Sequence, residues 1–184
     1  MIHFHNLFVR QAAAALALAV SVAAFAAEKE PVDYVNPYMG NISHLLVPTF
    51  PTVQLPNSML RVYPVRADYT ADQLGGLPLI VTHHRERSAF NLAVYQGDVA
   101  AIGARPAGYT YDNERLTPYS FYVYLDSACV DVDYAVAPQA AAYRLGLRRN
   151  DKPSYIMLSS ADGRLAVSGN AVSGWQSLDG RTRV

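Results

Sequence analysis

The chain has 184 residues, with fifteen basic side chains balanced by fifteen acidic ones to a formal net charge of zero. Nucleic acids and anionic membranes select a basic patch, and nothing here supplies one, so neither is expected as a partner. Cys129 is the single cysteine, which excludes an internal disulfide and leaves the fold to stand on packing.

The first 26 residues read as a signal peptide. Met1 to Arg10 is a short leader, 11–24 is an Ala- and Leu-rich apolar run, and Ala24-Phe25-Ala26 has the small-x-small pattern of a cleavage site. The run is too short, and too soon followed by Glu28, Lys29 and Glu30, to serve as a spanning helix. Cleavage after Ala26 leaves 27–184 as one domain with room for a sizeable core. The expected product is exported, bacterial periplasmic or secreted, with no membrane attachment after cleavage.

From Asp33 to Pro64 the sequence is dense in proline, at 37, 48, 51, 56 and 64. Each proline fixes φ near −65°, removes a donor and biases the residue before it towards extended backbone, so neither a helix nor a central strand fits. Between the prolines stand core-forming types: Tyr38, Met39, Leu45, Leu46, Phe50, Val53, Leu55, Met59 and Leu60. Two readings follow. Long structured loops on rigid scaffolds carry binding or catalytic surfaces, and an apolar segment of this kind also suits the covering of a sheet edge.

After Pro64 the pattern is strands and turns. Leu77 to Thr82 and Phe90 to Tyr95 are short apolar runs. Tyr119, Phe121, Val123 and Leu125 alternate with polar or tyrosine neighbours, Val130, Val132, Tyr134 and Val136 alternate with Asp131 and Asp133, and Tyr143, Leu145 and Leu147 alternate with Arg144 and Arg148. Period-two patterning marks half-buried antiparallel strands. The punctuation falls between them, at Asp126-Ser127, Asp151-Lys152-Pro153, Asp162-Gly163, Gly169-Asn170 and Asp179-Gly180. The fold class is all-β, an antiparallel β-sandwich. Ala171 to Ser177 reads as a strand, and Arg181 to Val184 as its return strand just begun, so the chain is expected to be a fragment of a longer protein.

Chemistry is sparse. Asp131 and Asp133 share a strand face, with carboxylates roughly 6–7 Å apart by the strand repeat, and read as a solvated face before they read as an acid/base pair. Asp112-Asn113-Glu114 reads as an acidic loop without the spacing of a calcium loop. Cys129 reads as a small buried apolar residue. His83, His84 and Arg85 follow a buried-looking strand. The functional reading puts a histidine and Arg85 on a pocket wall; neighbouring histidines at a strand end point apart and do not share a metal. His44 is isolated in the proline-rich loop. Phe50 is a core plug or a platform for a sugar ring. No nucleophile elbow, zinc helix, phosphate loop or dinucleotide fingerprint is present.

The opening segment resembles the N-terminal domain of glycoside hydrolase family 92, the exo-acting α-mannosidases. Asp33 to Gly40 is similar to the family's mature start, Thr49-Phe50-Pro51 with Val53, Pro56, Met59 and Pro64 to its threonine-phenylalanine-proline block, and Thr117 to Leu125 and Ala141 to Leu145 to later strands. The loop before the block departs from the pattern in having no glycine after Gly40, and Thr52 stands where a glycine is usual. The resemblance implies a supersandwich-like domain packed on an (α/α)₆ helical catalytic domain that this chain lacks. It implies mannose-containing glycans as substrate, and calcium as a cofactor held by ligands outside this chain. No catalytic residue is expected here. Phe50 is the residue the motif carries over as substrate-binding, with His44, His83 and Arg85 beside it. A stand-alone carbohydrate-binding sandwich and a purely structural domain are the alternatives.

Overall fold

A computed structural model describes residues 29–43, 45–68, 70–82, 88–98, 100, 108–149 and 151–184. The chain divides into two compact units, 1–34 and 35–184. In the first, the described residues form a 3₁₀ turn, Pro31–Tyr34, whose Asp33 carboxylate accepts the Glu30 N–H. No helix among the described residues is long and apolar enough to cross a membrane.

The second unit is the sandwich. One sheet holds five antiparallel strands in the order β1-β4-β5-β6-β7: β1 Gln73–Leu74, β4 Tyr109–Leu116, β5 Ser120–Leu125, β6 Val130–Val136 and β7 Ala141–Leu147. The alternation read from sequence is what builds it. In β5 and β6, Phe121, Val123, Leu125, Val130, Val132 and Tyr134 all turn inward and are at most 3 % exposed. Their in-between neighbours face out, and a slip of one residue would exchange the two sets. Tyr119 is the exception to the expected run. It sits in the β4–β5 turn, where Thr117 Oγ1 accepts the N–H groups of Tyr119 and Ser120.

The second sheet has three strands, β2 Leu77–Val81, β3 Ser88–Gln96 and β8 Ser154–Ser159, in that order. β9 Gly163–Ser168 and β10 Ala171–Gln176 form a separate hairpin. Leu77, Val81, Ala93 and Val94 share one continuous core with the inward residues of the five-stranded sheet. Two tyrosines bolt the layers. β8 runs beside Val94 on one edge, with Ile156 opposite it, but β2 pairs with β3 only as far as Leu92, so on the other edge Val94 has no strand. The buried Tyr109 hydroxyl replaces it, accepting from Val94 N and donating to Val94 O, each at 2.9 Å. The Tyr143 hydroxyl likewise donates to Pro78 O. Burial pushes the phenol of Tyr143 far above its ordinary value, with Tyr134 adding to the shift.

β10 is anchored by Gln176, 4 % exposed. Its amide donates to Ser88 O, and its oxygen accepts Phe90 N–H at a point where Phe90 has φ +55°. After β10, Gln176 and Val184 exchange backbone bonds across the Asp179-Gly180 turn, with Ser177 opposite Arg183. The return strand read at Arg181–Val184 is therefore paired.

The proline-rich arm follows an irregular course, as its prolines require. Val53 pairs with Val62 and Val65 with Gly76 as single bridges. Gly76 permits this because a Cβ there would collide with the Asn91 amide. Gln54 N–H reaches Pro118 O, and Met59 N–H reaches Pro138 O, so the arm closes one end of the five-stranded sheet.

The apolar content of the arm divides in a way the sequence did not foretell. Pro51 and Val53 are fully buried and Phe50 packs on the core. Tyr38, Met39, Leu45, Leu46 and Met59, all core-forming types, are exposed instead. Two further expectations change. Cys129 is only half-buried, with φ +54° at the end of the β5–β6 turn; a turn residue ahead of the strand cannot join its inward face. Asp112 to Glu114 is not a loop but a β-bulge inside β4, with Asn113 at φ +56°, a conformation asparagine tolerates.

Candidate functional site

Where the arm meets the sandwich it leaves a cleft of about 360 Å³, within the range of small-molecule sites. Val47, Pro48, Thr49 and Phe50 form one lip. Tyr63, Val65, Arg66 and Asp68 form the other, with Ser88 at the start of β3. Local sequence explains the construction. The bridges at Val62 and Val65 hold the second lip against the sheet, and buried Pro51 and Pro64 stiffen both lips next to the site.

Phe50 stacks on Tyr63 with centroids 4.8 Å apart and planes 12° from parallel. The sequence left it as core plug or platform, and it is partly each: one ring face is taken by Tyr63, and the half-buried side chain also lines the cleft. Opposite polar chemistry stands beside it. The Arg66 side chain is 2 % exposed and ion-paired with Glu114, which is 14 % exposed. Its guanidinium donates to both Glu114 oxygens and, at 3.3 Å, to the Tyr111 hydroxyl. The Tyr111 hydroxyl in turn donates to Ala71 O. The planar arginine is thus held in place by Glu114 and Tyr111 beside the cleft. Burial, then the negative charge of Glu114, pushes the Tyr38 phenol up to about 12, and the same two causes raise Tyr111 against the opposing pull of Arg66. Both phenols stay protonated donors at any physiological pH. At the mouth, Asp68 accepts from the backbone and hydroxyl of Thr70, which hold its carboxyl below the usual range.

These groups can bind; they do not form an acid/base pair. Glu114 is held by Arg66, and Asp68 is the one carboxylate among the described residues lining the cleft. The other candidate pair is engaged elsewhere. Asp131 receives Arg148 bidentately at 2.7 Å and the Tyr122 hydroxyl, while Asp133 receives Arg144 at 3.0 Å. The face is solvated as expected, and it also carries cross-strand ion pairs, with Arg148 over the Tyr124 ring at 3.9 Å. Among the described residues no three His, Cys, Asp or Glu side chains converge as a metal site needs.

Of the residues singled out from sequence, Phe50 lies at the cleft, whereas His44, His83 and Arg85 fall outside the described residues. Arg66, Tyr63 and Tyr111 were missed, and Glu114 was read only as part of an acidic loop. One signal was available: an arginine directly after Val62-Tyr63-Pro64-Val65 cannot be buried without a carboxylate to meet it.

The fold is thus an antiparallel sandwich whose cleft is lined by Phe50 and Tyr63, with Arg66 beside them. The model of the glycosyl hydrolase family 92 N-terminal domain matches residues 34–183. The chain belongs to that family, as this domain. A solved family GH92 α-mannosidase from Bacteroides thetaiotaomicron has the same fold, with a TM-score of 0.64 and 17 % sequence identity over 82 % of this chain. This chain spans only 24 % of that one. No curated protein matches at a significant level.

Proposed function

We propose that this domain is part of an exported glycoside hydrolase acting on α-mannosides, and that its cleft forms one wall of the sugar site. The observation that carries the reading is the location of the cleft on Thr49-Phe50-Pro51 itself, the block by which the sequence resembles the family. The chemistry suits a pyranose. A sugar presents C–H groups on one face to an aromatic ring and hydroxyls at its rim, and here Phe50 and Tyr63 stand beside Arg66 and Asp68. Arg66 donates, Asp68 accepts, and the arm limits access to water.

The bond-breaking groups belong on a helical catalytic domain of the parent. Glycosidic hydrolysis with inversion needs an acid on the leaving oxygen and a base on water, about 6.5–9.5 Å apart. The described cleft residues hold no such pair. Calcium is proposed only for that domain, since the family resemblance places its ligands outside this chain. Its role would be to orient sugar hydroxyls, and none of the steps assigned to this chain runs through it. His44, His83 and Arg85 remain proposed neighbours of the sugar.

The test is Phe50→Ala in the complete enzyme, assayed on an α-mannoside. A raised KM is expected, measured well below the unfolding transition, because the lost core packing of Phe50 will also lower the melting temperature. An unchanged kcat/KM removes the cleft from the site, and hydrolysis by this chain alone would show that the chemistry had been assigned to the wrong domain.

A further inference from the structure

β3 loses one of its two neighbours just where it approaches the cleft. Its pairing with β8 runs from Gln96 opposite Ser154 to Asn91 opposite Ser159 and stops there. At the next residue the backbone turns left-handed: Phe90 has φ +55°, a conformation that a bulky residue takes only where its surroundings impose it. Two positions before it stands Ser88, which lines the cleft together with Phe50, Tyr63 and Arg66. The side chain of Gln176 fills the gap left by β8. Its Oε1 accepts Phe90 N–H at 2.9 Å and Ala161 N–H at 3.4 Å, and its Nε2 donates to Ser88 O at 3.2 Å. A carboxamide carries the donor and acceptor of a peptide group, so one side chain can serve both backbones where they part. Gln176 is buried at the end of a strand whose first four residues are exposed, and its own backbone is held by the two bonds it exchanges with Val184. A polar side chain gains from burial only through the bonds it makes there, and all three of these go to the chain around the cleft end of β3.

We infer that Ser88 is a further sugar-contacting residue, and that Gln176 is the positioning residue that holds it in the cleft. The inference rests on the functional reading of the cleft given above and adds to it one hydroxyl and its support. Arg66 only donates and Asp68, as a carboxylate, only accepts; a serine hydroxyl does both, which suits a sugar hydroxyl that does both as well. The place of Ser88 is fixed from two sides. On one edge it lies opposite Val81 of β2. On the other its carbonyl is taken by Gln176 Nε2, while Gln176 Oε1 holds Phe90 in its left-handed turn. Between them Ala89 is fully buried, so the segment 88–90 is pinned along its whole length. Without the carboxamide the Phe90 N–H and the Ser88 carbonyl lose these partners, the left-handed turn loses its constraint, and Ser88 moves with it.

A double-mutant cycle in the complete enzyme tests this, assayed on an α-mannoside well below the unfolding transition. Ser88→Ala should raise KM about threefold to tenfold, the effect of one hydrogen bond, with kcat unchanged. Gln176→Leu, close in size but without the three bonds, should raise KM by a similar factor. The double variant should be no worse than the poorer single one, because Gln176 acts through Ser88; a loss of packing alone would not depend on the side chain at position 88. Should the leucine variant not fold, Gln176→Glu, which retains an acceptor for Phe90 N–H, takes its place in the cycle with the same non-additivity expected. In this chain by itself, Gln176→Leu should speed amide exchange at Phe90 about tenfold or more. Losses in KM that multiply in the double variant would overturn the positioning role, as would Phe90 exchange equal to wild type. An unchanged KM in Ser88→Ala would overturn the contact. Where Phe50→Ala raises KM in the same assay, those failures fall on this inference alone; where Phe50→Ala changes nothing, the reading of the cleft fails and this inference with it.

Discussion

Glu114→Ala isolates the Arg66 anchor. The wild-type pair is 2 % and 14 % exposed, so water solvates neither charge well, and the pair persists because each neutralises the other. Removing the carboxylate leaves the guanidinium with the Tyr111 hydroxyl as its described polar partner, and an uncompensated buried charge costs about 3–5 kcal/mol. For a domain of this size, each kcal/mol moves the melting midpoint by roughly 2–4 °C, so a loss of roughly 6–20 °C is expected. The control is on the same fold: Arg144 and Asp133 are 82 % and 37 % exposed, and Asp133→Ala should cost no more than about 1 kcal/mol. Arg66→Met combined with Glu114→Leu should recover most of the loss, since the desolvation cost of both charges disappears. The assay is urea unfolding of the four proteins followed by tryptophan fluorescence, Trp175 being the single tryptophan. If Glu114→Ala falls within 1 kcal/mol of wild type, about the size of an exposed pair, the pair is solvated and the account of a pre-organised Arg66 fails.

Tyr109→Phe removes one oxygen and strands both polar groups of Val94, 1 % exposed, in the core; a loss of about 1–3 kcal/mol in urea unfolding is expected, and a smaller one would mean that water replaces the hydroxyl. For Asp131, Arg148 and then Tyr122 hold the carboxyl below its ordinary value. A depressed native value means that the stabilisation is complete above the unfolded value, about 3.9, and is lost as pH falls through the lower native value. Asp131→Asn should therefore lower the melting temperature at neutral pH and converge on wild type in acid. A gap independent of pH would refute the ionic origin.

The strands were legible because their information is local. In β5 and β6 the period-two pattern specifies both the extended backbone and the face that turns inward, and a wrong register would expose Val123 and Val132 while burying Asp131. The turn signals at Asp126-Ser127, Gly169-Asn170 and Asp179-Gly180 were equally local. The site was legible only in part. Phe50 is marked by its prolines and by the block in which it stands, but Arg66 and Glu114 are 48 positions apart and meet only where the folded arm passes the register shift of β4. No pattern within a strand announces such a meeting.

The sequence by itself therefore determined an antiparallel sandwich, an irregular proline-stiffened arm, and the family to which the domain is similar, all of which rest on short-range spacing and composition. Tertiary structure alone decided which apolar residues of the arm enter the core. Val53 goes in and Leu45 stays out, although both are apolar side chains in one irregular segment, because Val53 is fixed to Val62 by backbone bonds while the turn at Gly40 carries Leu45 away from the sheet. Hydrophobicity ranks residues by what they gain from burial; only the path of the backbone determines which of them reach it.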